Sequence, residues 1–185
     1  MPNMELNRRI MIKEIKVMNR FGAEMVLLGV VPVPSLIPKW AMISINCSED
    51  KFLAEGKDLN KMERNGLEML MSIRFDDIKF VEYERIKAIH PKIILFNEDH
   101  ARKVIEFVEL AQKRPEPMSL LIHCTAGVSR SGAVAAFISE YLNISFHDEN
   151  IMPNSHILET LRNTAKAYDI IKKGDGDENS GSARS

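Results

Sequence analysis

Apolar residues in this chain form short runs separated by polar segments, and the spacing within each segment predicts its secondary structure. Four mainly apolar runs, each bounded by polar or turn-forming residues, predict buried β-strands. They lie at 14–18, 40–45, 67–75 and 119–123. Around the first run the apolar spacing also fits a helix over 10–18, so strand and helix both remain open there.

The clearest helical pattern follows Asn97, which is a favoured N-cap residue. Glu98 and Asp99 occupy the first turn, where the helix dipole favours acidic side chains. The apolar residues that follow recur at i, i+3, i+4 and i+7, so the pattern predicts an amphipathic helix ending near Lys113. Two further helices are predicted, one over 133–142 and one that begins at Pro153.

Several segments show neither the apolar run of a buried strand nor the apolar spacing of a helix. Three prolines within 31–38 exclude a regular helix or a central strand, and the polar segment 48–61 predicts a loop or a short helix. The segment 78–96 mixes apolar and charged residues and fits neither pattern. The Gly, Ser, Asp and Glu residues of 173–185 predict a disordered tail, so 1–172 is expected to form a single domain.

Alternating strands and helices predict an α/β fold with a mostly parallel central sheet flanked by helices on both faces. In such sheets, ligands bind beyond the carboxyl ends of the strands. The run at 119–123 leads directly into a cysteine, and the run at 67–75 is followed by Asp76 and Asp77. These two motifs are therefore expected at the same edge of the sheet.

Composition fits an ordinary globular protein and narrows the possible function classes. Of the 185 residues, 45% are hydrophobic and 28% are charged, and the net charge of −1 argues against a strongly basic nucleic-acid surface. No apolar run is long enough to span a membrane, and 1–13 lacks the apolar core of a signal peptide. Two cysteines, Cys47 and Cys124, cannot build a disulfide framework. If Cys124 is a nucleophile it must stay reduced, which favours a cytoplasmic location.

The most distinctive segment is 123–131, His-Cys-Thr-Ala-Gly-Val-Ser-Arg-Ser, between the fourth predicted strand and a helix. Backbone N–H groups at a helix start lack internal partners and, with the helix dipole, attract anions. Cys124 is expected to have a depressed pKa there, and Arg130 offers a planar fork that matches two phosphate oxygens. Gly127 permits the positive φ that turns successive N–H groups inward. The segment therefore predicts a phosphate site that contains a nucleophile.

This segment resembles the signature loop of the cysteine-dependent protein tyrosine phosphatases, especially their dual-specificity branch, and the resemblance covers roughly 43–161. It implies the fold of that superfamily and hydrolysis of phosphate monoesters through a cysteinyl-phosphate, without a metal or a cofactor. Cys124 is then the nucleophile, Ser131 assists departure of its thiolate, and His123 supports the loop structurally. The residues expected to bind the substrate phosphate are Thr125, Ala126, Gly127, Val128, Ser129 and Arg130.

The family also implies an aspartate that protonates the leaving oxygen, on a loop that follows an upstream strand. Asp77 is the preferred residue, because small relatives usually carry an acidic residue directly before the acid, and Asp76 is the alternative. About twenty residues separate this pair from the next predicted helix, more than in the short family loop. Glu98 and Asp99 therefore remain further candidates for the proton donor.

The resemblance predicts hydrolysis of phosphotyrosine in proteins, with phosphoserine and phosphothreonine as further substrates. A phosphatase for RNA 5′ ends or phosphoinositides is the second hypothesis, disfavoured because the residues between Cys124 and Arg130 are neutral. A phosphate-binding module without turnover is the third, and a rhodanese-like sulfurtransferase fits the motif less well. The expected partner is a phosphorylated protein, and neither a membrane nor a nucleic acid is expected to bind.

Overall fold

A parallel β-sheet covered by helices organises the part of the chain that the computed structural model describes, residues 10–50 and 65–177. The sheet within these residues has four strands in the order β1-β4-β2-β3, and each of its three pairings is parallel. The strands are β1 (Ile12–Asn19), β2 (Trp40–Asn46), β3 (Leu67–Arg74) and β4 (Met118–Cys124). The predicted α/β class with a parallel sheet is confirmed.

Helices cover both faces of the sheet, as predicted. Along β2, Ile43 and Ile45 point into a large apolar cluster with residues of α3, α4 and α5, whereas Trp40 and Met42 join a smaller cluster with α1. Successive side chains of a strand face opposite sides, so the two clusters form separate layers. The helices of the described residues are α1 (Arg20–Leu27), α2 (Tyr83–Ile89), α3 (Glu98–Gln112), α4 (Arg130–Leu142) and α5 (Ser155–Asp177), with a 3-10 turn at Phe80–Glu82.

The first apolar run forms a strand rather than the alternative helix over 10–18. Its pairing with β4 runs from Ile12 opposite Met118 to Asn19 opposite Cys124, so the backbone hydrogen bonds that a helix would have made are made across the sheet. Tertiary pairing therefore decides a segment whose local spacing is ambiguous. Asn19 then caps α1, since its side chain accepts a hydrogen bond from the N–H of Gly22 at 2.8 Å.

Two other segments differ from the sequence pattern in an informative way. The unassigned segment 78–96 contains the 3-10 turn and α2, and neither has a buried residue, so no apolar stripe marks them. α5 continues to Asp177, five residues past the boundary predicted at 172. The rest of the predicted tail and residues 51–61 of the predicted loop lie outside the described residues. Among the described helices, none combines the length and apolar character needed to cross a membrane.

Candidate active site

The segment that joins β4 to α4, residues 124–130 and here called the cysteine loop, lies against the carboxyl end of β1. Gly127 has a φ of +75°, and a Cβ atom placed on it would lie 2.6 Å from both the backbone N of Asn19 and the carbonyl carbon of Met18. Only glycine fits this position without moving backbone. The N–H of Arg20 also donates to the carbonyl of Thr125 at 3.2 Å, which ties the loop to the start of α1.

Cys124, the predicted nucleophile, is the last residue of β4 and is only 2% exposed. Its Sγ lies 3.1 Å from the Oγ of Ser131 and accepts a hydrogen bond from the N–H of Gly127 at 3.2 Å. Burial acts to raise the pKa of the thiol. Hydrogen bonds from the side chain and N–H of Ser131 and from the loop amides outweigh burial, so the pKa lies below its ordinary value.

Arg130 is the first residue of α4 and is buried, with 6% of its surface exposed. Its Nη1 donates to the carbonyl of Phe75 at 2.9 Å, and its Nη2 donates to the Oγ1 of Thr125 at 2.8 Å. Its Nε is buried and has no hydrogen-bond partner among the described residues. A buried donor without an acceptor is costly, and an anion in the loop would satisfy it.

His123, which precedes Cys124 in β4, is fully buried, and its Nε2 lies 2.8 Å from the Oγ of Ser44 on β2. The side-chain amide of Asn46 donates to the same Oγ at 3.3 Å. Burial lowers the pKa of His123 to about 4, so the imidazole is neutral at pH 7. The ring is therefore buried and uncharged at pH 7, and its role as a structural support of the loop stays a prediction.

Asp77 contacts the cysteine loop directly. Its Oδ1 accepts a hydrogen bond from the Oγ of Ser129 at 2.8 Å and a second from the Nδ2 of Asn154 at 2.9 Å. The side chain is exposed at the mouth of the loop. The structure thus brings together the two motifs that the strand ends predict, across 52 positions of sequence.

Asp76 forms its side-chain hydrogen bonds with segments other than the cysteine loop. Its Oδ1 accepts from the N–H of Ser48 at 3.1 Å, and its Oδ2 accepts from the N–H of Ile94 at 2.8 Å. Glu98 and Asp99 occupy the first turn of α3, where Glu98 is 3.7 Å from Arg102. Of the four acidic candidates, Asp77 is the one with a side-chain hydrogen bond to the cysteine loop among the described residues.

Sequence reasoning missed an ion pair beside the loop. The Nη1 of Arg20 lies 2.9 Å from the Oδ2 of Asp50 and 3.2 Å from the Oδ1 of Asn46. Burial acts to raise the pKa of Asp50, but hydrogen bonds from Cys47 and the charges of nearby arginines hold it below its usual value. Arg20 directly follows β1 and Asp50 follows β2 closely, so their position after strand ends was a usable signal.

The sequence predicts a helix that begins at Pro153, and the structure gives Asn154, the next residue, two side-chain contacts. Its Oδ1 accepts from the N–H of Ile157 at 3.3 Å, which is the capping bond, while its Nδ2 donates to Asp77. No signal in the sequence joins positions that lie 77 residues apart.

Comparison with known proteins adds no assignment. No protein-family model matches this chain, and no curated protein matches it. The structure itself also shows no candidate metal site in residues 10–50 and 65–177, because no group of three or more His, Cys, Asp or Glu side chains there is arranged to hold a metal ion.

Proposed function

We propose that this protein is a metal-independent phosphate monoester hydrolase that acts on phosphotyrosine in proteins, with phosphoserine and phosphothreonine as further substrates. The observation that carries the proposal is the pairing of a thiol of lowered pKa with a buried arginine in one seven-residue loop. Cys124 supplies the nucleophile, and the unpartnered Nε of Arg130 supplies a donor for a phosphate oxygen. A cytoplasmic location is part of the proposal, because the thiol must stay reduced.

The proposed reaction has two steps. The Cys124 thiolate attacks phosphorus, the P–O ester bond breaks, and the leaving oxygen takes a proton from Asp77. Water then attacks phosphorus, the S–P bond breaks, and Asp77 takes a proton from the water, so inorganic phosphate and thiolate are released. Loop N–H groups and the Arg130 guanidinium bind the equatorial oxygens in both steps. The Ser131 hydroxyl, 3.1 Å from Sγ, stabilises the departing thiolate.

Exposed aromatic side chains on the segments that contact the cysteine loop support an aryl phosphate substrate. Phe21 is 70% exposed and follows Arg20, whose N–H bonds to the loop. Phe80 is 66% exposed and lies three residues after Asp77, with its ring 5.8 Å from that of His156 at the start of α5. Aromatic rings pair favourably with one another, so these side chains offer surfaces on which a phosphotyrosine ring could pack.

The test is phosphate release from phosphopeptides, RNA with 5′ phosphates and phosphoinositides, without added metal and with chelator present. We expect phosphotyrosine peptides to be the best substrates. Cys124→Ser should abolish release while retaining substrate binding, because the loop amides and Arg130 remain. Preferential turnover of RNA or phosphoinositides would shift the substrate class to those alternatives. Binding of phosphopeptides without any release would support the binding-module hypothesis instead.

A further inference from the structure

We propose that Asn154 is a positioning residue for Asp77 and, together with Ser129, determines which oxygen of that carboxyl group carries the proton. The inference rests on the proposed function, in which Asp77 is the proton donor. It concerns a residue on a different element, at the entry to α5, that makes no contact with the sulfur of Cys124 among the described hydrogen bonds.

Two donors converge on one oxygen of Asp77. The Oγ of Ser129 and the Nδ2 of Asn154 both bond to Oδ1, at 2.8 and 2.9 Å. A protonated carboxyl group has one oxygen that accepts and one that carries the hydrogen. Because Oδ1 is occupied as an acceptor, the proton belongs on Oδ2, the oxygen left to donate to the leaving group.

Asn154 is itself held in one orientation. It is 7% exposed, its N–H donates to the carbonyl of Ser129 at 3.3 Å, and its Oδ1 accepts from the N–H of Ile157. With the amide oxygen fixed at the start of α5, the amide nitrogen faces Asp77 and also lies 3.4 Å from the carbonyl oxygen of Ile78. The amide of Asn154 supplies both the oxygen that caps the helix and the N–H donor that reaches Asp77.

Two substitutions separate these roles. Asn154→Ser keeps a capping oxygen and removes the amide donor, and Asn154→Asp keeps the length and the cap but presents an oxygen to Asp77. Asn150→Ser is the matched control, because Asn150 is exposed and bonds only to Asp148 among the described side chains.

We expect both Asn154 variants to lower kcat on a phosphotyrosine peptide by about ten- to a hundredfold with little change in KM. On an activated aryl phosphate, whose leaving group needs no protonation, we expect a loss under about threefold. The control should match wild type on both substrates.

The same substitutions in an Asp77→Asn background complete the test. If Asn154 acts through Asp77, Asn154→Ser should cause no further loss there. Equal losses on both substrates, or a loss that multiplies with Asp77→Asn, would overturn the inference and leave Asn154 as a helix cap. A wild-type protein that releases phosphate from neither substrate would overturn the proposed function itself, and the two failures are therefore distinct.

Discussion

At the residue scale, the environment of Cys124 differs from that of the second thiol, Cys47, which lies outside the cysteine loop. Hydrogen bonds from Ser131 and the loop amides lower the pKa of Cys124 despite its burial, so its thiolate fraction is raised at mildly acidic pH. We therefore expect iodoacetate at pH 6 to alkylate Cys124 well before Cys47, and phosphate or vanadate to protect it. Cys47→Ser should retain the fast-labelled thiol and Cys124→Ser should lose it, as measured by mass spectrometry. Equal labelling of both thiols would contradict the lowered pKa.

Arg130 offers a second test at this scale, because its proposed binding of phosphate oxygens depends on the planar geometry of the guanidinium as well as on its charge. Arg130→Lys keeps a positive charge but loses the planar fork and the bonds to Phe75 and Thr125. We expect kcat/KM for a phosphotyrosine peptide to fall on the order of a hundredfold or more. Arg162→Lys is the matched control, since Arg162 makes a two-point contact with Glu140 on the outer surface. A loss of only a few-fold for Arg130→Lys would place this residue outside the reaction.

At the scale of elements, the two adjacent acids after β3 have different structural partners. Asp77 bonds to the cysteine loop, whereas both oxygens of Asp76 accept backbone N–H groups from neighbouring loops. We expect Asp77→Asn to lower kcat on phosphotyrosine by roughly two to four orders of magnitude, with a smaller loss on an activated aryl phosphate. Asp76→Asn should instead lower the free energy of unfolding by about 1–3 kcal/mol, because one N–H loses its carboxylate partner.

Steady-state kinetics and urea unfolding of both variants separate these effects. If Asp76→Asn carried the kinetic loss and Asp77→Asn did not, the proton donor would be Asp76. If neither substitution changed kcat, Glu98 and Asp99 in the first turn of α3 would be tested next.

Elements with an apolar period were predictable from the sequence, and those without one were not. The strands β2 and β4 are apolar runs buried along their whole length, and α3 has a favoured cap and a regular apolar stripe. By contrast, α2 buries no residue, so it lacks the apolar stripe that marks an amphipathic helix in a sequence. Hydrophobic periodicity in a sequence reflects burial of one face of an element, so an element without a buried face shows no such periodicity.

At the scale of the whole molecule, the candidate site joins segments that only the topology brings together. The cysteine loop was predictable because nucleophile, amides and arginine lie within seven consecutive residues. The carboxylate was predictable in part, since parallel strands end at one edge of the sheet. The contact of Asn154 with Asp77 depends on where α5 begins after α4, and the ion pair of Arg20 with Asp50 depends on the loops after β1 and β2. Such contacts between side chains far apart in the sequence produce no periodic pattern from which they could be predicted.

Burial of His123 under the loop also makes the stability of the molecule depend on pH. Its pKa is about 4 in the folded protein against an ordinary 6.5, and burial is the main cause. Between these values the unfolded chain binds more protons than the folded one, so the free energy of unfolding falls as pH drops from 6.5 toward 4. At pH 5 this linkage corresponds to a loss of about 2 kcal/mol relative to pH 7. The lowered pKa of His100, also buried in part, adds to the loss in the same direction.

Urea unfolding of wild type and His123→Gln at pH 7, 6 and 5 measures the contribution of this one residue. The variant has no imidazole to protonate at position 123, so its loss of stability between pH 7 and 5 should be smaller by about 2 kcal/mol. Its stability at pH 7 is a separate quantity, since the hydrogen bond to Ser44 is changed as well. Parallel pH dependences for the two proteins would show that His123 is already protonated in the folded state near pH 6. A charged imidazole next to Cys124 would in turn stabilise its thiolate, so the same measurement bears on how the proposed nucleophile is activated.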